Sequence, residues 1–158
     1  ELAGEKIRKN SSFCSFFSRM RRGYLYTTAQ EQGYNKVALG HHMDDAAESF
    51  FMNFIYNGQL RSLAPKYKAD RGVTVIRPLI QMRERQLLAF VQENSIETIG
   101  DEACPSMRFD IKMPHARAHT KEMLSKIEKE FPSLFTSLNA SFKNISKESF
   151  FQKEFFNI

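Results

Sequence analysis

The chain has 158 residues, with 23 lysines and arginines against 18 aspartates and glutamates, giving a net charge of +5 and a pI near 9.3. That length makes one domain, or a domain with a small appendage. A 42% hydrophobic fraction with 15 phenylalanines can form a core, and the basic balance points to an anionic partner, nucleic acid first. No apolar run approaches the roughly 20 residues of a membrane span. Residues 1–10 are too charged for a secretion signal. Two widely separated cysteines, Cys14 and Cys104, do not make a secreted disulfide framework, so a reducing, cytoplasmic setting is expected.

Residues 1–12 are polar and read as a loose lead-in. Ser18 is a good N-cap for a helix running to about Gln32. Met20, Tyr24, Leu25 and Thr28 are candidates for its inner face, and Gly33 is a stop. Lys36–Leu39 is a short strand ending in Gly40. Asp44 can cap the next helix, where Ala47, Phe50, Phe51, Phe54 and Ile55 recur at three- and four-residue spacing before Gly58. Residues 59–72 read as a basic loop containing Pro65, Lys66 and Lys68. Val73–Ile76 is a second, β-branched strand. Arg83–Gln92 is a helix with Leu87, Leu88 and Val91 inward, and Ile96–Ile99 fits a short edge strand.

The character changes near Asp101. A loop from Cys104-Pro105 to Pro114 leads to a helix over Thr120–Glu130, with Met123, Leu124 and Ile127 inward. After Pro132 comes another, Ser133–Ile145, on Leu134, Leu138, Phe142 and Ile145, and then an aromatic tail from Ser146. The order helix–strand–helix–strand–helix predicts an α/β fold, a parallel sheet flanked by helices with a helical C-terminal extension.

Chemistry concentrates at Gly40, His41, His42, Asp44 and Asp45. In α/β sheets ligands bind at the carboxyl ends of strands. Glycine lets a backbone approach a ligand closely. Asp44 or Asp45 could hold Mg²⁺ through oxygen, and a histidine could hold phosphate or move a proton. The plainer alternative is that Asp44 only caps the helix and His41 is a satisfied polar residue. Zinc is less expected, because the histidines lack the i, i+4 helical spacing. Arg19, Arg21 and Arg22 at a helix start would oppose the helix dipole, and phosphate is the natural justification. Cys14 and Cys104 are either small buried hydrophobes or a persulfide-bearing thiol and its resolving partner. The basic loop residues Lys66 and Lys68, with Arg108, Lys112, Arg117 and Lys121, could meet a nucleic-acid backbone, and Phe109 could stack on a base.

In order, Cys14, Ser18-Arg-Met-Arg-Arg-Gly23, Leu39-Gly-His-His-Met-Asp-Asp45, Asn53–Gly58, Val75-Ile-Arg-Pro-Leu79 and Cys104 resemble the tRNA 2-thiocytidine synthetase family. That family is a branch of the PP-loop ATPases related to lysidine synthetases. The likeness runs from about residue 12 through the C-terminal helices, and the joint occurrence of S-R-x-R-R-G, G-H-H-x-D-D and I-R-P-L makes it specific. It implies an adenine nucleotide alpha hydrolase-like fold, with residues 1–100 the C-terminal portion of the nucleotide-binding domain. Residues 101–158 would be a cysteine-containing loop and helical extension. It implies ATP-driven adenylation of a cytidine carbonyl in the tRNA anticodon loop, so that sulfur delivered by a donor protein displaces AMP. Arg19, Arg21 and Arg22 would meet phosphate of ATP or tRNA. Gly40, His41, Asp44 and Asp45 would line the nucleotide and Mg²⁺ site.

Two departures stand out. The family's S-G-G-x-D-S phosphate loop is absent from this sequence, so the chain is expected to be inactive alone, as the C-terminal part of a longer or split enzyme. An exposed sheet edge, and with it a homodimer, swapping or partial disorder, would follow. Phe17 and Met107 stand where cluster-holding members have the second cysteine of each C-x-x-C pair, which argues against a family-like [4Fe–4S] cluster. Cys14 and Cys104 then remain as a cluster-free sulfur relay. The competing readings are a lysidine-synthetase-like ligase, a non-catalytic tRNA-binding module and, more distantly, a metal-dependent hydrolase.

Overall fold

The computed structural model describes residues 13–69, 72–99 and 115–149. Its elements are helix α1 (Phe13–Glu31), strand β1 (Lys36–Ala38), helix α2 (Met43–Asn57) and strands β2 (Lys66–Lys68) and β3 (Thr74–Ile76). Helices α3 (Glu84–Glu93), α4 (His115–Glu130) and α5 (Leu134–Ser141) follow, with a 3₁₀ turn at Lys147–Ser149.

The sheet runs β1-β3-β2. β1 and β3 are parallel, with Val37 opposite Val75. β2 is antiparallel to β3, with Tyr67 opposite Val75. The sheet is therefore mixed, where the chain order had predicted a parallel one. The extra strand falls in the segment read as a basic loop. Lys-Tyr-Lys alternates with period two and follows Pro65, which lacks the N–H that a strand interior needs. Gly72, at φ +78, turns the chain back into β3, and Ala69 N–H donates to Val73 C=O at 2.9 Å. β3 is central and Val75 is 0% exposed. Among the described residues β1 pairs on one side only.

The helices differ from expectation in bounds and in inner faces. α1 starts at Phe13, more than a turn before Ser18, so Ser18 is interior and the arginines do not face the dipole at a helix start. Its predicted inner residues Met20, Tyr24, Leu25 and Thr28 are exposed, Tyr24 at 77%. Gly23, Tyr26, Thr27 and Ala29 turn inward instead. Small residues there allow close approach, and the Tyr26 hydroxyl meets that of Tyr67 at 2.9 Å. In α2 the buried side is Met43, Ala46, Ala47 and Glu48; Phe54 and Ile55 are exposed. α3 buries no residue fully, and Leu88 is exposed. Residues 96–99 form no strand, and Ile99 is 87% exposed. α4 begins earlier than Thr120, while α5 ends before Ile145, which is exposed.

Among the described residues Met43, Ala47, Leu124 and Phe135 form an apolar cluster, with Phe51, Leu134, Leu138 and Phe142 packed against it. The helices after residue 114 thus share a core with α2 and hold it from behind. Deleting buried aliphatic or aromatic groups from such a cluster costs about 2–5 kcal/mol each.

Candidate functional site

The turn after β1 lies at the carboxyl end of the parallel pair. Leu39 N–H donates to Ile76 C=O at 2.9 Å, one residue past the strand, and the chain then leaves through Gly40, His41 and His42 into α2. The fold itself does not demand glycine at position 40. Its φ is not positive, and an added Cβ would meet nothing within 4 Å. The outer side of the turn is open.

His42, not Asp44, caps α2. Its Nδ1 accepts from Asp45 N–H at 3.4 Å, and its own N–H donates to Asp45 Oδ2 at 3.1 Å, a reciprocal box. Asp44 serves another helix: Oδ2 accepts from Glu84 N–H at 2.8 Å, at the start of α3. Arg83 donates to both Asp44 oxygens at 3.1–3.2 Å, and to Glu128 at 2.7 and 3.0 Å. Its guanidinium lies 3.4 Å from the Phe135 ring centroid. Burial raises the Asp44 pKa, but the hydrogen bonds from Arg83 and Glu84 outweigh it and hold the carboxyl below its ordinary value. Arg117 reaches from α4 to Asp45 Oδ1 at 2.6 Å and to Glu48 at 2.8 Å.

Each carboxylate oxygen of Asp44 and Asp45 therefore has a protein partner. Mg²⁺ needs oxygen ligands in near-octahedral array with room for water and phosphate, and carboxylates bound to guanidinium do not fit that. No group of three or more metal-capable His, Cys, Asp or Glu side chains occurs among the described residues. The same contacts change the reading of Arg117: its charge goes to Asp45 and Glu48 instead of a nucleic-acid backbone.

The charges of Arg77 and Arg21 act on His41. Its Nδ1 is buried with no hydrogen-bond partner. Its pKa lies below the ordinary value, first through burial, then through Arg77, with Arg21 and Arg117 adding and Asp45 opposing. The imidazole is neutral at neutral pH. Arg77 is 6% exposed, donates to the Ala64 carbonyl, lies 5.2 Å over the Tyr67 ring and has an unpartnered Nε. A buried guanidinium forming no ion pair among the described residues, beside a neutral histidine, is an anion-receptive arrangement. Sequence reasoning quoted Arg77 within I-R-P-L and gave it no role.

Arg21 is exposed and acts on His41 through its charge. Arg19 and Arg22 line a separate groove between α1 and β2 with Lys68. Lys66 is exposed on the edge strand, where lysine also discourages edge pairing. Cys14 lies in the first turn of α1, with its side chain outside the described residues. Cys104, Met107, Arg108, Phe109 and Lys112 also lie outside them. Phe17 packs edge-on against Phe16 at 5.8 Å and offers no donor to iron.

A mixed three-stranded sheet with helices packed behind the turn at the carboxyl end of its parallel pair defines an α/β domain. Residues 10–113 match the PP-loop domain family, and the chain belongs to it. It is 39% identical over 156 residues to the tRNA-cytidine(32) 2-sulfurtransferase of Geobacter metallireducens, covering 98% of this chain and 59% of that protein. It is 35% identical over 157 residues to the protein of the same name in Coxiella burnetii (strain RSA 331 / Henzerling II), covering 99% and 59%. The chain thus spans about three-fifths of these relatives. A solved structure of the U34-tRNA thiolase NcsA from Methanococcus maripaludis, with its [4Fe-4S] cluster, shares the fold. The TM-score is 0.70 at 23% identity, over 89% of this chain and 46% of that one. No helix among the described residues is long and apolar enough to cross a membrane.

Proposed function

We propose that this chain forms part of an ATP-dependent tRNA sulfurtransferase acting on a cytidine of the anticodon loop. The observation that carries the reading is at the turn after β1: His41 has a buried, unpartnered Nδ1, and its pKa is lowered by burial and by the charges of buried Arg77 and exposed Arg21. Such a site suits the phosphates of ATP and the negative charge that develops when one is attacked. The names of the curated relatives supply the substrate.

In this reading the cytidine O2 attacks the α-phosphorus of ATP and pyrophosphate leaves. The terminal sulfur of a persulfide on Cys14 or Cys104, loaded by a sulfur donor protein, attacks C2 and AMP leaves. The other cysteine's thiolate then attacks the protein-bound sulfur. The thiocarbonyl is released and a Cys14–Cys104 disulfide remains for a dithiol to reduce. No step is drawn through Mg²⁺, which the aspartates as placed do not fit, or through an iron–sulfur cluster, because Phe17 supplies no ligand. The reading includes a homodimer, for which the support is the one-sided pairing of β1 among the described residues.

The test uses the intact protein with ATP, a donor persulfide and unmodified tRNA. His41→Ala or Arg77→Gln should lower thiocytidine formation by at least about 100-fold, the range for loss of one electrostatic or acid–base group, while the far-ultraviolet circular dichroism stays unchanged. Incorporation of labelled lysine in place of sulfur would establish the ligase alternative.

A further inference from the structure

A groove of about 400 Å³ opens between α1 and β2, lined by Arg19, Arg22, Tyr26, Tyr67 and Lys68 among others. We infer that it holds a phosphodiester of the RNA backbone, next to but separate from the His41 pocket; this rests on the RNA-modifying role proposed above. Three cations face it, and no carboxylate is among its described lining residues. The ion pairs among the described residues involve Asp44, Asp45, Glu48, Glu84, Glu122 and Glu128, and none of them engages Arg19, Arg22 or Lys68. Among the described residues Arg22 alone of the three is anchored, donating from Nε to the Ser18 carbonyl at 3.2 Å, and its terminal nitrogens form no ion pair there.

The floor is also suited to phosphate. Tyr26 and Tyr67 hydroxyls meet at 2.9 Å. Burial, then the bond to Tyr67, pushes the Tyr26 pKa up to about 12, so that hydroxyl keeps its proton at neutral pH. One of the two protons is used between them, and the other can donate to a phosphate oxygen. The groove adjoins the candidate active site through Arg77, which lies over the Tyr67 ring on one side and lowers the His41 pKa on the other. A backbone phosphate seated here would bring the neighbouring nucleotide toward His41. The groove is wide at its mouth, and Arg19 and Lys68 are exposed. That suits a chain passing through more than a small molecule sealed in. Nucleotide phosphate has the same chemistry, so the test separates the two.

The experiment measures binding of a synthetic anticodon stem–loop RNA, and separately of ATP, to the intact protein across a salt series. Each phosphate contact contributes about 0.7–0.9 to the slope of log affinity against log salt, or roughly fivefold in affinity at 0.1 M salt. Arg19→Gln, Arg22→Gln and Lys68→Gln together should reduce the slope by about 2–3 and the RNA affinity by about 100-fold. ATP affinity and melting temperature should not change. Lys126→Gln, on an exposed stretch of α4 and paired with Glu122, should move neither slope nor affinity. An unchanged RNA slope in the triple variant, or a loss of ATP binding with RNA binding intact, overturns the groove assignment alone. Absence of RNA binding by the unmodified protein overturns the proposed function as well.

Discussion

Replacing Arg83 with methionine removes a cation that joins α2, α3, α4 and α5. The side chain is 14% exposed, with Asp44 and Glu128 at 15% and 23%. Breaking a buried pair on one side costs roughly 3–5 kcal/mol, because the remaining charge is left unpaired. The residual exposure of both carboxylates lets water recover part of that. Methionine keeps a contact with the Phe135 ring worth about 0.3–1.5 kcal/mol. The expected loss is therefore about 2–3 kcal/mol at pH 7. Asp44 and Glu128 are both held below their ordinary pKa values, Glu128 chiefly by its hydrogen bond with Arg83. Depressed carboxylate values contribute stability that is fully present above the unfolded values of about 4, and that fades as pH falls through the folded ones. Arg83→Met should thus lose most at pH 7 and much less at pH 3. Urea unfolding at both pH values measures this. A loss under about 0.5 kcal/mol at pH 7, or an equal loss at pH 3, would refute the ion-pair account.

Two further substitutions probe single elements. His41 has a pKa below its ordinary value near 6.5, so its unfolded form takes up a proton first, and the protein loses stability as pH falls below about 6.5. His41→Asn should flatten the melting-temperature decline between about pH 6.5 and 5; an unaltered decline would mean that another group carries it. Gly58 ends α2 at φ +59 with open space around its Cα. Gly58→Ala should therefore cost only the backbone penalty of about 1–2 kcal/mol, and a neutral urea midpoint would contradict the left-handed cap.

What could be read from the chain depended on how local the signal was. Lys36–Ala38, the turn after it and α2 were readable because an apolar run, a glycine and an amphipathic repeat are adjacent in sequence. β2 was hidden inside a segment whose lysines suggested a solvated loop, since three alternating residues are a weak signal beside Pro65. The face of α1 was misjudged because Tyr26 and Gly23 turn inward for reasons set by distant Tyr67, and an apolar count favours Tyr24 and Leu25. The turn after β1 could be singled out as a candidate site, but the partners of its carboxylates could not. Arg83 and Arg117, 39 and 72 residues from Asp44 and Asp45, claim the carboxylates that adjacency alone had offered to a cation. Arg77 carried a signal that went unused, an arginine directly after a buried strand.

The pairing of these carboxylates bears on how the pocket attracts an anion. Within the few residues after β1 the chain places Asp44, Asp45 and Glu48, and free carboxylates there would repel a polyphosphate. At 4 Å the repulsion is of order 1 kcal/mol per charge pair in water and several-fold more in a partly buried site. Arg83 and Arg117 neutralise those groups from behind, using helices that follow residue 114. Arg21 and Arg77 form no ion pair among the described residues and bear on His41. The C-terminal helices thereby set the sign of the field at the turn without lining it. By this logic Arg117→Gln leaves the 8%-exposed Glu48 carboxylate without its guanidinium and costs some stability, so binding is measured where the variant is fully folded. The substitution should weaken ATP binding by the intact protein several-fold, and raising the salt should shrink the difference. An ATP affinity equal to that of the unmodified protein at low salt would show that the acidic residues of α2 do not reach the ligand electrostatically.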